Sequence, residues 1–264
     1  NIVQGFLMYN EFAPTADTLF LLVLSILTLE SVHSIRFLYQ HFLSGITTKS
    51  LNTFYHACSY AKVDSSHFMN ITAKVALRMI PDSLATQPIF LCVDDTMVAK
   101  AGTRFENVSK LFDHAAHNGS NYLNGHCFVS IMLCIPVWKN DRVSYLSLPL
   151  GYRMWQKKES KLELAASMIR QVMPEFQEKK QVIILCDSWY TKRNLVSIVD
   201  EYLNLDLIGN ARIDSVMYAP AHTGRRGRPA KHGKRLSVET DFAFSNEKIG
   251  DYYIGAHRVI TNLF

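Results

Sequence analysis

Two short apolar runs that each end in aspartate constrain this chain more than any other feature. The first is Ile89-Phe90-Leu91-Cys92-Val93-Asp94-Asp95-Thr96. The second is Val182-Ile183-Ile184-Leu185-Cys186-Asp187-Ser188-Trp189-Tyr190. Runs of this length, bounded by polar residues, read as buried strands. An aspartate at the exit of a buried strand loses solvation unless it is paired or holds a metal. If the two strands lie side by side, Asp95 and Asp187 come together and offer hard oxygen ligands to Mg²⁺ or Mn²⁺. A plainer role is also open, because aspartate commonly caps the element that follows it, and Asp187 before Ser188-Trp189 is placed to do so. Two matched clusters with suitable elements between them favour the metal site.

The 264 residues are 48% hydrophobic, enough for one large domain or for one domain with a smaller companion. A net charge of +5 permits a nucleic-acid partner without requiring one. Cys58, Cys92, Cys127, Cys134 and Cys186 form no C-x-x-C pair, and four of them fall in strand-like runs. They read as buried small hydrophobes in a reducing compartment, and a zinc site is not expected. The most apolar stretch, Leu19 to Leu29, is about half the length of a membrane span. It has neither the basic lead nor the cleavage site of a signal peptide, so it is expected to be a buried helix. Both ends of the chain read as cuts in a longer protein.

Residues 15 to 80 carry helical spacing. Leu51, Phe54, Tyr55 and Cys58 share one face, as do Phe68, Ile71, Val75 and Met79, and Pro81 closes the region. The segment from Ser50 to Met79 reads either as a small helical DNA-binding unit or as a packing domain. After the first acidic strand, residues 101 to 124 are polar and predict a loop or wide hairpin connection. Gly125–Trp138 and Val143–Tyr152 predict two strands joined by a turn at Lys139-Asn140-Asp141-Arg142. An amphipathic helix is expected over Glu159–Met173, the second acidic strand over 181–187, a helix over Arg193–Leu203 and a fifth strand over Leu205–Ile213. Strands one to three can form an antiparallel meander, whereas strands four and five are reached through helices and suit parallel pairing. This is the element order of the ribonuclease H-like α/β fold, in which the first and fourth strands are neighbours.

Val93-Asp94-Asp95-Thr96 and Cys186-Asp187-Ser188-Trp189-Tyr190 resemble the first and second acidic motifs of bacterial insertion-sequence transposases of the DDE class. His117-Asn118-Gly119-Ser120 and Asn124-Gly125-His126 resemble the segment leading into their second strand. The likeness covers roughly residues 88 to 264. It implies a mixed sheet with flanking helices at 82–213, followed by a β-rich insertion at 214–264; the helical spacing before them reads as an N-terminal region at 1–81, a candidate for DNA binding. It also implies that Asp95, the aspartate directly before threonine, is catalytic together with Asp187. Asp94 then points to the opposite face or assists. By the same resemblance, two Mg²⁺ or Mn²⁺ ions drive cleavage and strand transfer of DNA, the partners are element ends, target DNA and a second copy of the chain, and the location is the bacterial cytoplasm at the nucleoid. No membrane is involved.

The third carboxylate of that family is a glutamate on a helix, with tyrosine and arginine nearby and lysine after it. No such pattern is present, since Glu239 and Glu247 lie in strand-like or loop sequence. The chain is therefore expected to bind DNA without cleaving it, as a fragment or a decayed copy. Were it to cleave, Glu201 and Glu239 would be the first residues to examine. A metal-dependent phosphohydrolase with Asp94 as nucleophile needs an Asp-x-Asp pair and a wholly parallel sheet. A non-catalytic DNA-binding module would leave the acidic strands unexplained.

Such a module would centre on residues 225–235, where Arg225, Arg226, Arg228, Lys231, Lys234 and Arg235 are basic and nothing is acidic. Arg226-Gly227-Arg228-Pro229 matches an A·T-hook core, which enters narrow minor grooves. Plain phosphate contact explains the same residues, and both readings place DNA here. Lys157 and Lys158 read as a solvated pair beside a buried Trp155. His114, His117 and His126 have no recognised ligand spacing and are expected near phosphate or bonded to backbone.

Overall fold

A computed structural model describes residues 13–61, 65–102, 104–112, 121–176, 180–212, 214–221 and 230–261. The chain divides into two compact units, Asn1–Val75 and Ala76–Phe264. In the first, helix α1 (Ala13–Thr28), a helical stretch over 35–46 and α2 (Leu51–Tyr60) bury Leu22, Leu38, Leu43 and Phe54 together. The apolar stretch from Leu19 to Leu29 is not the buried helix expected of it: Leu22 enters the core and Leu19, Leu21 and Leu29 pack against it, but Val23, Ile26 and Leu27 are exposed. No helix among the described residues is long and apolar enough to cross a membrane. Helix α3 (Ser65–Leu77) spans the division between the units.

The second unit is built on a six-stranded sheet. Its strands are β1 (Ile89–Ala99), β2 (Ser109–Phe112), β3 (Tyr122–Lys139), β4 (Arg142–Met154), β5 (Val182–Cys186) and β6 (Leu205–Gly209). β3 lies antiparallel to β1 on one edge, and β4 and β2 occupy its other edge in tandem. β1 pairs in parallel with β5, and β5 with β6. The first and second acidic runs are therefore neighbours, as their order along the chain predicts. A mixed sheet of this kind runs against the phosphohydrolase alternative, which needs parallel pairing throughout.

Alternation decides which face of the sheet is core. Ile89, Leu91 and Val93 of β1, Val129, Ile131, Leu133 and Ile135 of β3, and Val182 and Ile184 of β5 share one face, and all are buried. Helix α4 (Lys161–Val172) covers it with Leu162, Ala165, Ala166, Met168, Ile169 and Val172. Arg153 of β4 ties the helix down, donating to Ser167 Oγ at 3.0 Å and to Gln171 Oε1. Because β4 runs in the same direction as β1 and β5, α4 is the crossover that carries the chain over β3 and β1. Pro149 is accommodated beside a bulge that leaves Leu150 without a register partner.

Several boundaries differ from the sequence reading. β1 runs four residues past Asp95, and a short strand, β2, forms within the segment read as loop. The helix expected over Arg193–Leu203 is one α-turn, α5 (Arg193–Val196), followed by 3₁₀ helix to Glu201. The fifth strand stops at Gly209 rather than Ile213. Beyond it are β7 (Met217–Tyr218), β8 (Arg235–Leu236), β9 (Phe244–Ile249), β10 (Tyr252–Gly255) and β11 (Ile260–Thr261), in small antiparallel sheets. Glu239 lies in a one-turn helix, Val238–Asp241, not in the strand or loop expected of it. Glu247 lies on β9.

Gly125 shows how tightly β3 is registered. A Cβ there would sit 2.3 Å from the backbone oxygen of Val98. The pairings of Gly125 with Ala99 and Ser109 hold both neighbours in place. Gly125→Ala is expected to destabilise the protein by about 1–3 kcal/mol, the usual range for overpacking. A denaturant midpoint equal to wild type would refute this.

Candidate functional site

The acidic ends of β1 and β5 are set by register. Val93 is level with Cys186, so Asp94 and Asp187 come next along the two strands and Asp95 lies one residue further. Asp95 shares the face of Val93 and Val129, the face α4 covers. Asp94 is on the opposite face and exposed, and its Oδ1 accepts the Asp95 N–H at 2.8 Å.

Asp95 is held by three donors. The ammonium of Lys161, the first residue of α4, approaches Oδ2 at 2.6 Å. The Cys127 thiol of β3 donates to the same oxygen at 3.2 Å, and the Tyr190 hydroxyl donates to Oδ1, also at 3.2 Å. The Lys161 and Asp95 side chains are only 19% and 17% exposed. A carboxylate this far from water needs such partners.

These contacts move the titration of the donors. Burial pulls the Lys161 ammonium down, but the hydrogen bond and charge of Asp95 outweigh it and leave the group above the ordinary lysine range. Cys127 is pushed up to about 11, by burial first and then by Asp95. Burial, followed by the Asp95 charge, lifts the Tyr190 phenol far above its ordinary value. At neutral pH all three therefore carry their protons and serve as donors.

Asp187 follows β5 directly and shapes a tight turn. Its Oδ1 accepts the N–H groups of Trp189 at 3.0 Å and Tyr190 at 3.1 Å, and its backbone oxygen accepts the Thr191 hydroxyl at 2.9 Å. The capping role left open by the sequence is thus present. It uses one oxygen, and Oδ2 has no hydrogen-bond partner among the described residues. Tyr190 joins the two aspartates, with its N–H on Asp187 and its hydroxyl on Asp95. Trp189, 39% exposed, lies beside this turn with Lys161 Nζ 5.3 Å and Lys192 Nζ 4.5 Å from its ring centroid.

Lys161, Tyr190 and Cys127 were not singled out as site residues by sequence reasoning. A usable signal existed for Lys161. Ser160 and Glu163 form a capping box, with the Ser160 hydroxyl accepting the Glu163 N–H at 3.1 Å and the Glu163 carboxylate accepting the Ser160 N–H at 2.9 Å. That pattern marks the helix start and places Lys161 on the first turn. The hydrogen bond from the Ser160 backbone also holds the Glu163 carboxyl below its ordinary value. Its support for the helix is therefore present above the usual glutamate range and fades as pH falls through the lowered value. Nothing in the linear sequence brings Cys127 to Asp95; the β1–β3 register does.

The remaining candidates separate. Arg225, Arg226 and Arg228 lie outside the described residues, as do His114 and His117. Lys231 and Arg235 are exposed, while Lys234 is ion-paired with Asp241, an acidic residue from beyond the basic run. Beside them the Tyr218 ring stacks on His232 at 3.9 Å. His126 is bonded to the backbone oxygen of Glu106 at 2.8 Å. Lys157 and Lys158 are exposed as expected, and Trp155 is half-buried, donating to the Glu159 oxygen at 2.8 Å. Glu201 is gripped by Arg170 at 2.6 and 2.8 Å.

Three or more metal-ligating side chains do not cluster anywhere among the described residues. The donor chemistry at the strand ends nevertheless fits a hard divalent cation. Asp187 keeps one carboxylate oxygen without a hydrogen-bond partner among the described residues, and Asp94 is exposed.

The family described as DDE superfamily endonuclease matches residues 15–248. Two solved structures are similar. One is the Mos1 strand transfer complex, 12% identical, with a TM-score of 0.25, covering 75% of this chain and 58% of that one. The other is the Mos1 transposase paired-end complex with left transposon end, 11% identical, with a TM-score of 0.26, covering 75% and 59%. The chain spans less than two thirds of the length of either. No curated protein matches the sequence.

Proposed function

This chain belongs to the DDE superfamily endonuclease family, and on that premise we propose that it is the nuclease core of a DNA transposase. The observation that carries the reading is the parallel pairing of β1 with β5, which sets the two acidic clusters side by side at one end of the sheet. Asp95 and Asp187 are the proposed metal-holding carboxylates, with Asp94 as a neighbour. Mg²⁺ or Mn²⁺ bound there would activate the attacking oxygen and stabilise the leaving oxygen of a phosphodiester. Tyr190 orients both aspartates, and Lys161 neutralises Asp95 from the α4 side.

The order β4-β3-β1-β5-β6 supports a ribonuclease H-like assignment for 82–213. On this reading 1–81 is a helical N-terminal region and 214–264 a β-rich insertion. DNA lies against Lys231, Arg235 and the neighbouring Arg225, Arg226 and Arg228, with Lys234 partly committed to Asp241. Element ends and target are the DNA partners, and a second copy of the chain pairs the ends.

The test is a nicking assay with Mg²⁺ or Mn²⁺ on DNA carrying the element ends. It compares this chain with the product of its complete gene, each as wild type and as Asp95→Asn. Metal-dependent nicking by the complete product, lost in Asp95→Asn, is expected. This chain is expected to bind the same DNA without nicking it, because no group of three or more metal-ligating side chains clusters among its described residues. Absence of both binding and nicking in the complete product would end the reading.

A further inference from the structure

We propose that Cys92 and Cys134 are a redox-active pair, which a low-molecular-weight disulfide such as glutathione disulfide closes into a covalent staple between β1 and β3.

The two cysteines lie on neighbouring antiparallel strands. Cys92 is level with Met132 and Cys134 with Phe90, so both side chains leave the sheet on one face, a diagonal step apart. Their sulfurs are 3.7 Å apart. Among the described residues no other two cysteine sulfurs are in contact. Cys127 donates to Asp95, Cys186 lies 3.7 Å from the Thr191 hydroxyl, and Cys58 is exposed in the helical unit.

A disulfide holds its sulfurs at about 2.05 Å, so closure asks for an approach of about 1.7 Å. Rotation of two short side chains toward each other supplies most of it. The only other polar contact of the Cys134 sulfur is the neutral Ser147 hydroxyl at 3.2 Å, which it can leave without exposing a buried charge. The backbone needs little adjustment, because β1 and β3 pair without a break from Phe90 to Ala99. Cys92 is half-buried and within reach of a small oxidant, whereas Cys134 is 9% exposed.

Closure is thiol–disulfide exchange in two steps. Cys92 attacks one sulfur of the small disulfide, forming a mixed disulfide and releasing one small thiol. Cys134 then attacks the Cys92 sulfur and releases the second. The pair gives up two electrons and two protons, and the small disulfide is reduced to two thiols. Burial, followed by Cys134 beside it, pushes Cys92 up to about 12. Attack is therefore slow at neutral pH, and the pair is best read at equilibrium. Once formed, the bond restrains the unfolded chain and so raises the stability of the folded one.

The test holds the full chain, without denaturant, in glutathione buffers stepped from fully reduced to fully oxidised until no further change occurs. Products are mapped by mass spectrometry without reduction. At the oxidised end a peptide joining Cys92 to Cys134 is expected, lighter by two hydrogen atoms and restored by excess reduced glutathione. Circular dichroism should stay unchanged, and the melting temperature should rise by roughly 5–10 °C. In Cys134→Ala, or in Cys134→Ser should the alanine variant fail to fold, that rise should vanish. Two free thiols at the oxidised end would overturn the proposal, since the pair would then be packing alone. So would glutathione left on Cys92, a bond from Cys92 to any other cysteine, or an equal rise in the folded Cys134 variant. A Cys92–Cys134 bond that left the melting temperature unchanged would overturn the staple as well.

Discussion

Asp187→Asn in the complete gene product is expected to lower metal-dependent nicking roughly a thousandfold, the factor set by about 4 kcal/mol of lost transition-state stabilisation. Asparagine is chosen because Asp187 has two jobs that this change separates. Its Oδ1 accepts the N–H groups of Trp189 and Tyr190, and an amide oxygen can accept the same bonds, so the turn survives. The negative charge and the second carboxylate oxygen are lost. Asp187→Ala removes the cap as well and should cost about a further 1 kcal/mol of stability. The melting temperature of the asparagine variant should therefore stay near wild type while nicking falls. If Asp187→Asn nicks as wild type does and only Asp187→Ala is impaired, Asp187 is a cap and nothing more, and the metal assignment fails at this residue.

Tyr190→Ala is expected to destabilise the sheet-containing unit by about 3–5 kcal/mol, the range for truncating a buried aromatic side chain. For a unit of this size that corresponds to a melting temperature lower by roughly 10 °C. Tyr190 is 1% exposed; its hydroxyl donates to Asp95 and its backbone N–H to Asp187. Tyr190→Phe keeps the ring and removes only the hydroxyl bond to Asp95, so it should cost about 1 kcal/mol. The pair of variants separates packing from hydrogen bonding. Thermal melts of the two that coincide with wild type would show that Tyr190 supports neither.

Much of the fold is legible in the linear sequence because it follows local pattern. Alternating or continuous apolar runs bounded by polar residues mark β1, β3, β4 and β5, and the helical spacing after Glu159 marks α4. Their order is enough to predict which strands pair, since short connections give antiparallel neighbours and helical crossovers give parallel ones. The pair Asp95 and Asp187 could be chosen because each follows a continuous apolar run, although β1 continues past Asp95 to Ala99.

Other features depend on contacts that no local pattern records. The sequence reading overextended β6 and the helix after Arg193, because apolar content continues past the point where backbone pairing ends. It left β2 as a loop, because a four-residue strand on the edge of β3 owes its existence to that edge. The sequence by itself determined the strand order and pointed to an aspartate after each apolar run, through hydrophobic periodicity and the cost of burying charge. Only the tertiary structure decided how those aspartates are used. Register places Asp95 under α4 and Asp94 on the other face, and the turn after β5 spends one oxygen of Asp187 on backbone. Lys161, Cys127 and Tyr190 reach Asp95 from three separate elements, because burying a carboxylate demands partners that must come from wherever packing brings them.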